Sequence, residues 1–118
     1  MTTPEGRVKD AIRDLLDGYE GLWQYWPVPS GYGRKTVDVL GCFRGRFFAI
    51  EAKAEGEVPT QLQHDELNRV VDAGGTAFVI AGEKSPALKH LKTWLDDLKS
   101  MYPHDPYIAP AQSNRRPL

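Results

Sequence analysis

TVDVLGCFRGRFFAIEAK, residues 36 to 53, consists of two β-branched and aromatic runs split by the dipeptide Arg44-Gly45. Runs of this composition favour strands, and a two-residue break with glycine available for positive φ signals a tight hairpin. With Arg44 and Gly45 as the turn, the numbers of facing residues sum to 89, so Phe43 faces Arg46 and Asp38 faces Glu51. The rest of the hairpin is apolar on both faces, as a sheet covered on each side requires.

On either side of the hairpin, helical and extended periods alternate. Val8, Ala11, Ile12 and Leu15 recur at helical spacing over Pro4 to Leu16, with Lys9, Arg13 and Asp14 on the other faces. Thr3 can cap this helix, Pro4 suits its first turn, and Gly18 can end it. LWQYWPV (22–28) is a short aromatic edge strand, and SGYGRK connects it to the hairpin. After the loop EGEVP (55–59), Thr60 and Gln63 form a capping box opening a helix to about Ala73, with Leu67, Val70 and Val71 as its buried stripe. Gly74-Gly75 stops it, TAFVIA (76–81) is an apolar strand, and Ser85-Pro86 caps a third helix carrying Leu88, Leu91, Leu95, Leu98 and Met101.

The strand, helix, strand succession from residue 46 to 81 requires a parallel crossover. The order α-β-β-β-α-β-α therefore predicts a small three-layer α/β/α domain with a mixed central sheet over residues 1–102, followed by an irregular, proline-rich tail over 103–118.

At 118 residues the chain has room for one such core and one site. Fifteen Lys and Arg against sixteen Asp and Glu leave a net charge of −1, so no strongly basic surface is announced, although Arg34, Lys35, Arg44, Arg46 and Lys53 cluster within twenty positions. A single Cys42 excludes an internal disulfide, and His64, His90 and His104 do not pair with it in a zinc spacing. Any metal would use oxygen ligands. No apolar run approaches the ~20 residues of a membrane helix, and MTTPEGRVKD lacks a secretory apolar core, so a cytoplasmic location is expected.

Facing carboxylates on one sheet face repel, with Cβ atoms only about 5 Å apart. Side chains alternate along a strand, so Lys53 shares the face of Glu51 while Ala52 points away. A hard divalent cation, Mg2+ above all, resolves the repulsion, because it takes oxygen ligands from one or two carboxylates plus water and phosphate. The plainer alternative is a solvated Asp38 beside a Glu51 to Lys53 ion pair.

Asp38, twelve intervening residues, then Glu51-Ala52-Lys53 resembles the bipartite signature of the PD-(D/E)xK nucleases. GRKTVD, GRFFAIEAK, TQLQ and AGGTAFVI, in that order, resemble the small VRR-NUC branch, often carried by phages and related to Holliday-junction resolvases. The similarity runs from about Glu5 to Ile80, and it departs where the usual proline before the aspartate is Val37. The resemblance implies a restriction-endonuclease-like fold and a catalytic set of Asp38, Glu51, Lys53 and Gln63. It implies Mg2+, replaceable by Mn2+, held by Asp38, Glu51, the Ala52 carbonyl and Glu5. Glu5 also suits the first turn of a helix simply as an acid, and Gln63 suits a capping box whatever else it does.

These readings converge on a Mg2+-dependent DNA endonuclease acting on structured or branched DNA. A non-catalytic nucleic-acid-binding or assembly module on the same fold, and a nuclease of ordinary duplex, are the alternatives. Arg34, Lys35, Arg44 and Arg46 are the candidate DNA contacts, expected to ring the metal site. A homodimer is expected, through the aromatic strand of Trp23 to Trp26 or through Trp94, Leu95 and Leu98. Trp23, Tyr25 and Trp26 could stack on bases, but core packing is the simpler expectation. Cys42 should be a small buried hydrophobe and His64 a surface histidine.

Overall fold

The computed structural model describes residues 2–28 and 37–102. Arg34, Lys35 and the tail 103–118 lie outside them. Helix α1 spans Pro4–Asp17, and the Thr3 side chain accepts the Gly6 amide at its N-terminus. Gly18 closes it in a right-handed conformation, with φ −77, so this glycine's left-handed freedom is not used. Strand β1 is short, Trp23–Tyr25, and is followed by β2 (Val39–Phe43) and β3 (Arg46–Lys53).

The hairpin forms as the sequence requires: Arg44 (φ 51) and Gly45 (φ 79) both occupy the left-handed region, the mirror turn whose twist matches its flanking strands. Its register runs from Phe43 facing Arg46 to Val39 facing Ile50. Helix α2 (Gln61–Asp72) crosses to β4 (Thr76–Ala81), which lies parallel to β3, and α3 (Pro86–Met101) follows. The sheet order is β1-β2-β3-β4, antiparallel but for the last pair.

Two cores of unequal size flank the sheet. On one face, Val8, Ile12 and Leu16 of α1 and Leu91, Leu95 and Leu98 of α3 pack with Val39, Phe43, Phe48, Ile50, Ala52 and Ile80. Among the described residues the other face is covered by α2, whose Leu67 packs with Val37 and Ala49, with Leu40, Val70, Ala77 and Val79 around them. The result is the expected three-layer α/β arrangement.

Several burial expectations change. Val71 is half-exposed rather than part of the buried stripe of α2, whereas Gln63 faces the sheet with Leu67 and Val70, as its spacing of four and seven residues from them requires. Met101 at the end of α3 is exposed, while Leu95 and Leu98 are buried in the main core with Trp94 against it, so that helix offers no such dimer surface. Of the aromatic strand, Leu22 and Trp26 pack against the core, while Trp23 and Tyr25 are exposed. Cys42 is partly rather than fully buried, and His64 is exposed as expected.

α1 and α3 are also tied by a polar contact. The Tyr19 hydroxyl donates to Asp96 Oδ1 at 2.5 Å. Burial first, and then the Asp96 carboxylate, raise the Tyr19 pKa above its ordinary value. A phenol whose folded-state pKa is raised contributes stability that is complete below its ordinary pKa near 10 and is lost as pH rises beyond it. Tyr19→Phe should therefore be less stable than wild type at neutral pH but show a shallower loss above pH 10, read from thermal melts across the alkaline range.

Gly41 faces Phe48 across the hairpin, and a Cβ built there would stand 2.2 Å from the Phe48 ring. The ring thus lies where any other side chain would be. Gly41→Ala should cost about 1–3 kcal/mol or more through overpacking. Gly45→Ala, with nothing within 4 Å but φ at 79, should cost only the smaller strain of the left-handed turn. Urea denaturation of the two variants tests that order.

Candidate active site

The acids gather at the open end of the β2–β3 hairpin, away from its turn. The ladder ends with Val39 facing Ile50, and continuing its register by one position sets Asp38 opposite Glu51. There the strands part, and the Asp38 side chain takes over from backbone: its Oδ2 accepts the Ala52 amide at 2.8 Å. Glu51 is 2% exposed and Lys53 9%, on the face covered by α2. Lys53 is set against Ala81 by the parallel ladder, and its carbonyl accepts the Gly82 amide at 2.9 Å. Its ammonium stands 4.0 Å from Glu51 Oε1.

Gln63 serves two structures at once. Its Oε1 accepts the Thr60 amide at 2.9 Å, completing the capping box of α2. Its Nε2 donates to Glu51 Oε1 at 2.9 Å. The capping and site readings of this residue are therefore one geometry, in which the side-chain amide uses its acceptor on the helix and its donor on the buried carboxylate.

Sequence reasoning missed Lys9. Assigned there to a solvated face, it turns toward the sheet end, with Nζ 3.4 Å from Asp38 Oδ1 and 3.5 Å from Glu5 Oε2. Partial burial would lower its pKa, but the Asp38 and Glu5 carboxylates outweigh that and hold it above its ordinary value. The signal available was the Glu5 to Lys9 spacing of four residues on one helix. Glu5 reaches Asp38 through this ammonium. Among the described residues no group of three or more His, Cys, Asp or Glu is gathered closely enough to hold a metal ion.

The site is nonetheless chemically suited to a hard cation. Its donors are carboxylate oxygens of Asp38 and Glu51, and Mg2+ ordinarily takes one or two carboxylates and completes its shell with water and phosphate. Lys9 already places positive charge beside Asp38. Arg44 and Arg46 are not brought to this site. They sit at the turn, about 17 Å along β3 from Glu51 at 3.3 Å per residue, where Arg44 Nη1 donates to the Tyr102 carbonyl and Arg46 Nη2 to the Tyr102 hydroxyl, each at 2.6 Å.

No family model matches the chain, and no curated protein matches it either.

Gln63 variants probe the shared geometry. Gln63→Leu should cost about 1–3 kcal/mol, because the Thr60 amide and the buried Glu51 oxygen each lose a partner. Gln63→Glu keeps an acceptor for the cap but sets a second carboxylate about 3 Å from Glu51, which raises the folded-state carboxyl pKa. A raised pKa means stability returns as pH falls. Thermal melts in chelator should show Gln63→Glu recovering toward wild type between pH 8 and pH 5, and Gln63→Leu not.

Proposed function

We propose that this chain is a Mg2+-dependent DNA endonuclease, with Mn2+ able to substitute, acting on structured or branched DNA. The observation that carries this reading is the burial of Glu51 and Lys53 on one sheet face beside Asp38, with Gln63 fixing Glu51. Buried charges set as far apart as the 4.0 Å between Lys53 and Glu51 stabilise a small domain poorly by that contact. Such clusters are characteristic of functional sites. The resemblance of Asp38 and Glu51-Ala52-Lys53 to the PD-(D/E)xK signature supports the same assignment.

In this reading Asp38 and Glu51 hold the cation, with the Ala52 carbonyl and Glu5 as further oxygen donors. When bound, the cation polarises the scissile phosphoryl group and acidifies an attacking water. Asp38, which contacts Lys9 at 3.4 Å, would hold the cation in place of that ammonium. Gln63 holds the Glu51 carboxylate in one orientation, leaving Glu51 little freedom to turn away. Lys53, confined by its burial, directs its ammonium to the attacking water and to the charge developing on the phosphate oxygens. A solvated lysine would spread over many rotamers and do this poorly.

Labelled linear duplex, single strand, flap, fork and four-way junction, each incubated with Mg2+, Mn2+ or chelator, test the proposal. Cleavage that chelation stops supports it; binding without metal-dependent cleavage supports a non-catalytic module instead, and equal cutting of linear and branched duplex removes the branch preference. Asp38→Asn and Glu51→Gln should lose both cleavage and Mg2+ affinity. Lys53→Met should retain much of the Mg2+ affinity, measured by calorimetry, yet lose on the order of 10²-fold in rate. Wild-type cleavage by all three variants would mean the reaction occurs elsewhere.

A further inference from the structure

β1 pairs with β2 so that Trp23 stands beside Cys42 and Tyr25 beside Leu40, and β2 pairs with β3 so that Cys42 faces Phe47 and Leu40 faces Ala49. Paired residues share a face, and alternate residues along a strand return to it. Trp23, Tyr25 and Phe47 are therefore on the face that carries Glu51 and Lys53. Among the described residues α2 covers this face over β3 and β4, and Trp23 and Tyr25 of β1 stay exposed. Trp23 is 55% exposed, Tyr25 52% and Phe47 41%. Isolated exposed aromatics need no explanation, but three on one face beside a polar site do.

We propose that this face is a stacking platform for unpaired nucleotides flanking the bond to be cut. The idea rests on the nuclease reading and specifies its substrate: DNA with a single-stranded segment at the site. Two observations select this occupant. The Trp23 and Tyr25 rings are nearly parallel, 17° apart in plane with centroids 6.3 Å apart, in the stacked orientation in which ring faces rather than edges meet a neighbour. Base faces are open to such rings only where a strand is unpaired and unstacked, and stacking on them tolerates any sequence.

The position also fits. From strand geometry, Tyr25 lies one strand across and one same-face step along from Asp38, a Cα separation of about 8 Å, and Trp23 lies a further step of about 7 Å beyond. The rings therefore lead away from the acids at intervals on the scale of an extended nucleotide chain. Phe47 also lines an open groove of about 520 Å³ with Glu66, Arg69 and Val70, in which Arg69 is ion-paired with Glu66 at 3.2 Å.

The test is binding, measured by fluorescence anisotropy in chelator, of a labelled oligothymidylate and of a blunt duplex of equal length. Wild type should bind the oligothymidylate; Trp23→Ala and Tyr25→Ala should each weaken it on the order of tenfold, while duplex affinity changes by less than about twofold. Trp23→Phe, which keeps a ring, should recover most of the affinity. Melting curves establish that the variants fold, as substitution of exposed side chains on an edge strand should permit.

Absent oligothymidylate binding by wild type, or unchanged affinity in the double alanine variant, overturns the platform. So does a wild-type dimer by light scattering that the double variant abolishes without altering oligothymidylate affinity, since the face would then be a self-interface. Because binding is read without cleavage, the two proposals fail separately. Ring-dependent oligothymidylate binding by a protein that cuts nothing with Mg2+ or Mn2+ keeps the platform and removes the nuclease; metal-dependent cutting with ring-independent binding does the reverse.

Discussion

The register of the β2–β3 hairpin is the constraint from which the site follows. Two residues in the left-handed conformation, Arg44 and Gly45, fix which side chains face each other five positions away. A slip of one residue in either strand would exchange its two faces. In β3 it would drive Glu51 and Lys53 into the aliphatic layer beneath α1 and α3 and bring Phe48 and Ile50 out beside α2. The Phe48 ring over Gly41 opposes such a slip, because only glycine leaves space for it. Turn chemistry and core packing thus impose the same alignment, and the carboxylates sit where that alignment leaves them.

Bringing Asp38 and Glu51 together has an electrostatic cost, which the chain distributes over four other groups. Lys9 stands by Asp38, Lys53 by Glu51, and the Ala52 amide and Gln63 side chain donate hydrogen bonds to the two carboxylates. The two ion contacts are long, at 3.4 and 4.0 Å. The hydrogen bonds are short, at 2.8 and 2.9 Å. Orientation of the carboxylates is therefore set by neutral donors, and the ammonium groups supply charge without fixing it. This is an arrangement in which an incoming cation can replace charge without dismantling the geometry.

The fold was legible because its punctuation is local. Arg44-Gly45, Thr60 with Gln63, Gly74-Gly75 and Ser85-Pro86 each mark a boundary by their own backbone chemistry, and β3 and β4 have the bounds their apolar runs suggest. Asp38, Glu51 and Lys53 were legible for a related reason, since hairpin register and strand alternation are arithmetic. Lys9 was not, because its role depends on how α1 lies across the sheet end, which no helical period discloses. The exposure of Trp23 and Tyr25 escaped for the same reason: an aromatic strand reads as core unless it is known that one helix must cover four strands. The remoteness of Arg44 and Arg46 from the acids, by contrast, was implicit in the hairpin itself. Nearness in sequence hid it, since they occupy the turn while the acids occupy the open end.

Gln63 also gives the site a dynamic property. The first turn of a helix is the part most prone to fray, since its amides lack partners within the helix. In this chain the residue that closes the first turn of α2 is the one that holds Glu51. When Thr60 and Gln63 let go, the helix end opens and the carboxylate loses its Gln63 hydrogen bond in the same fluctuation. Amide exchange at the start of α2 and disorder of the buried acid are then two readings of a single local opening, and whatever steadies one steadies the other.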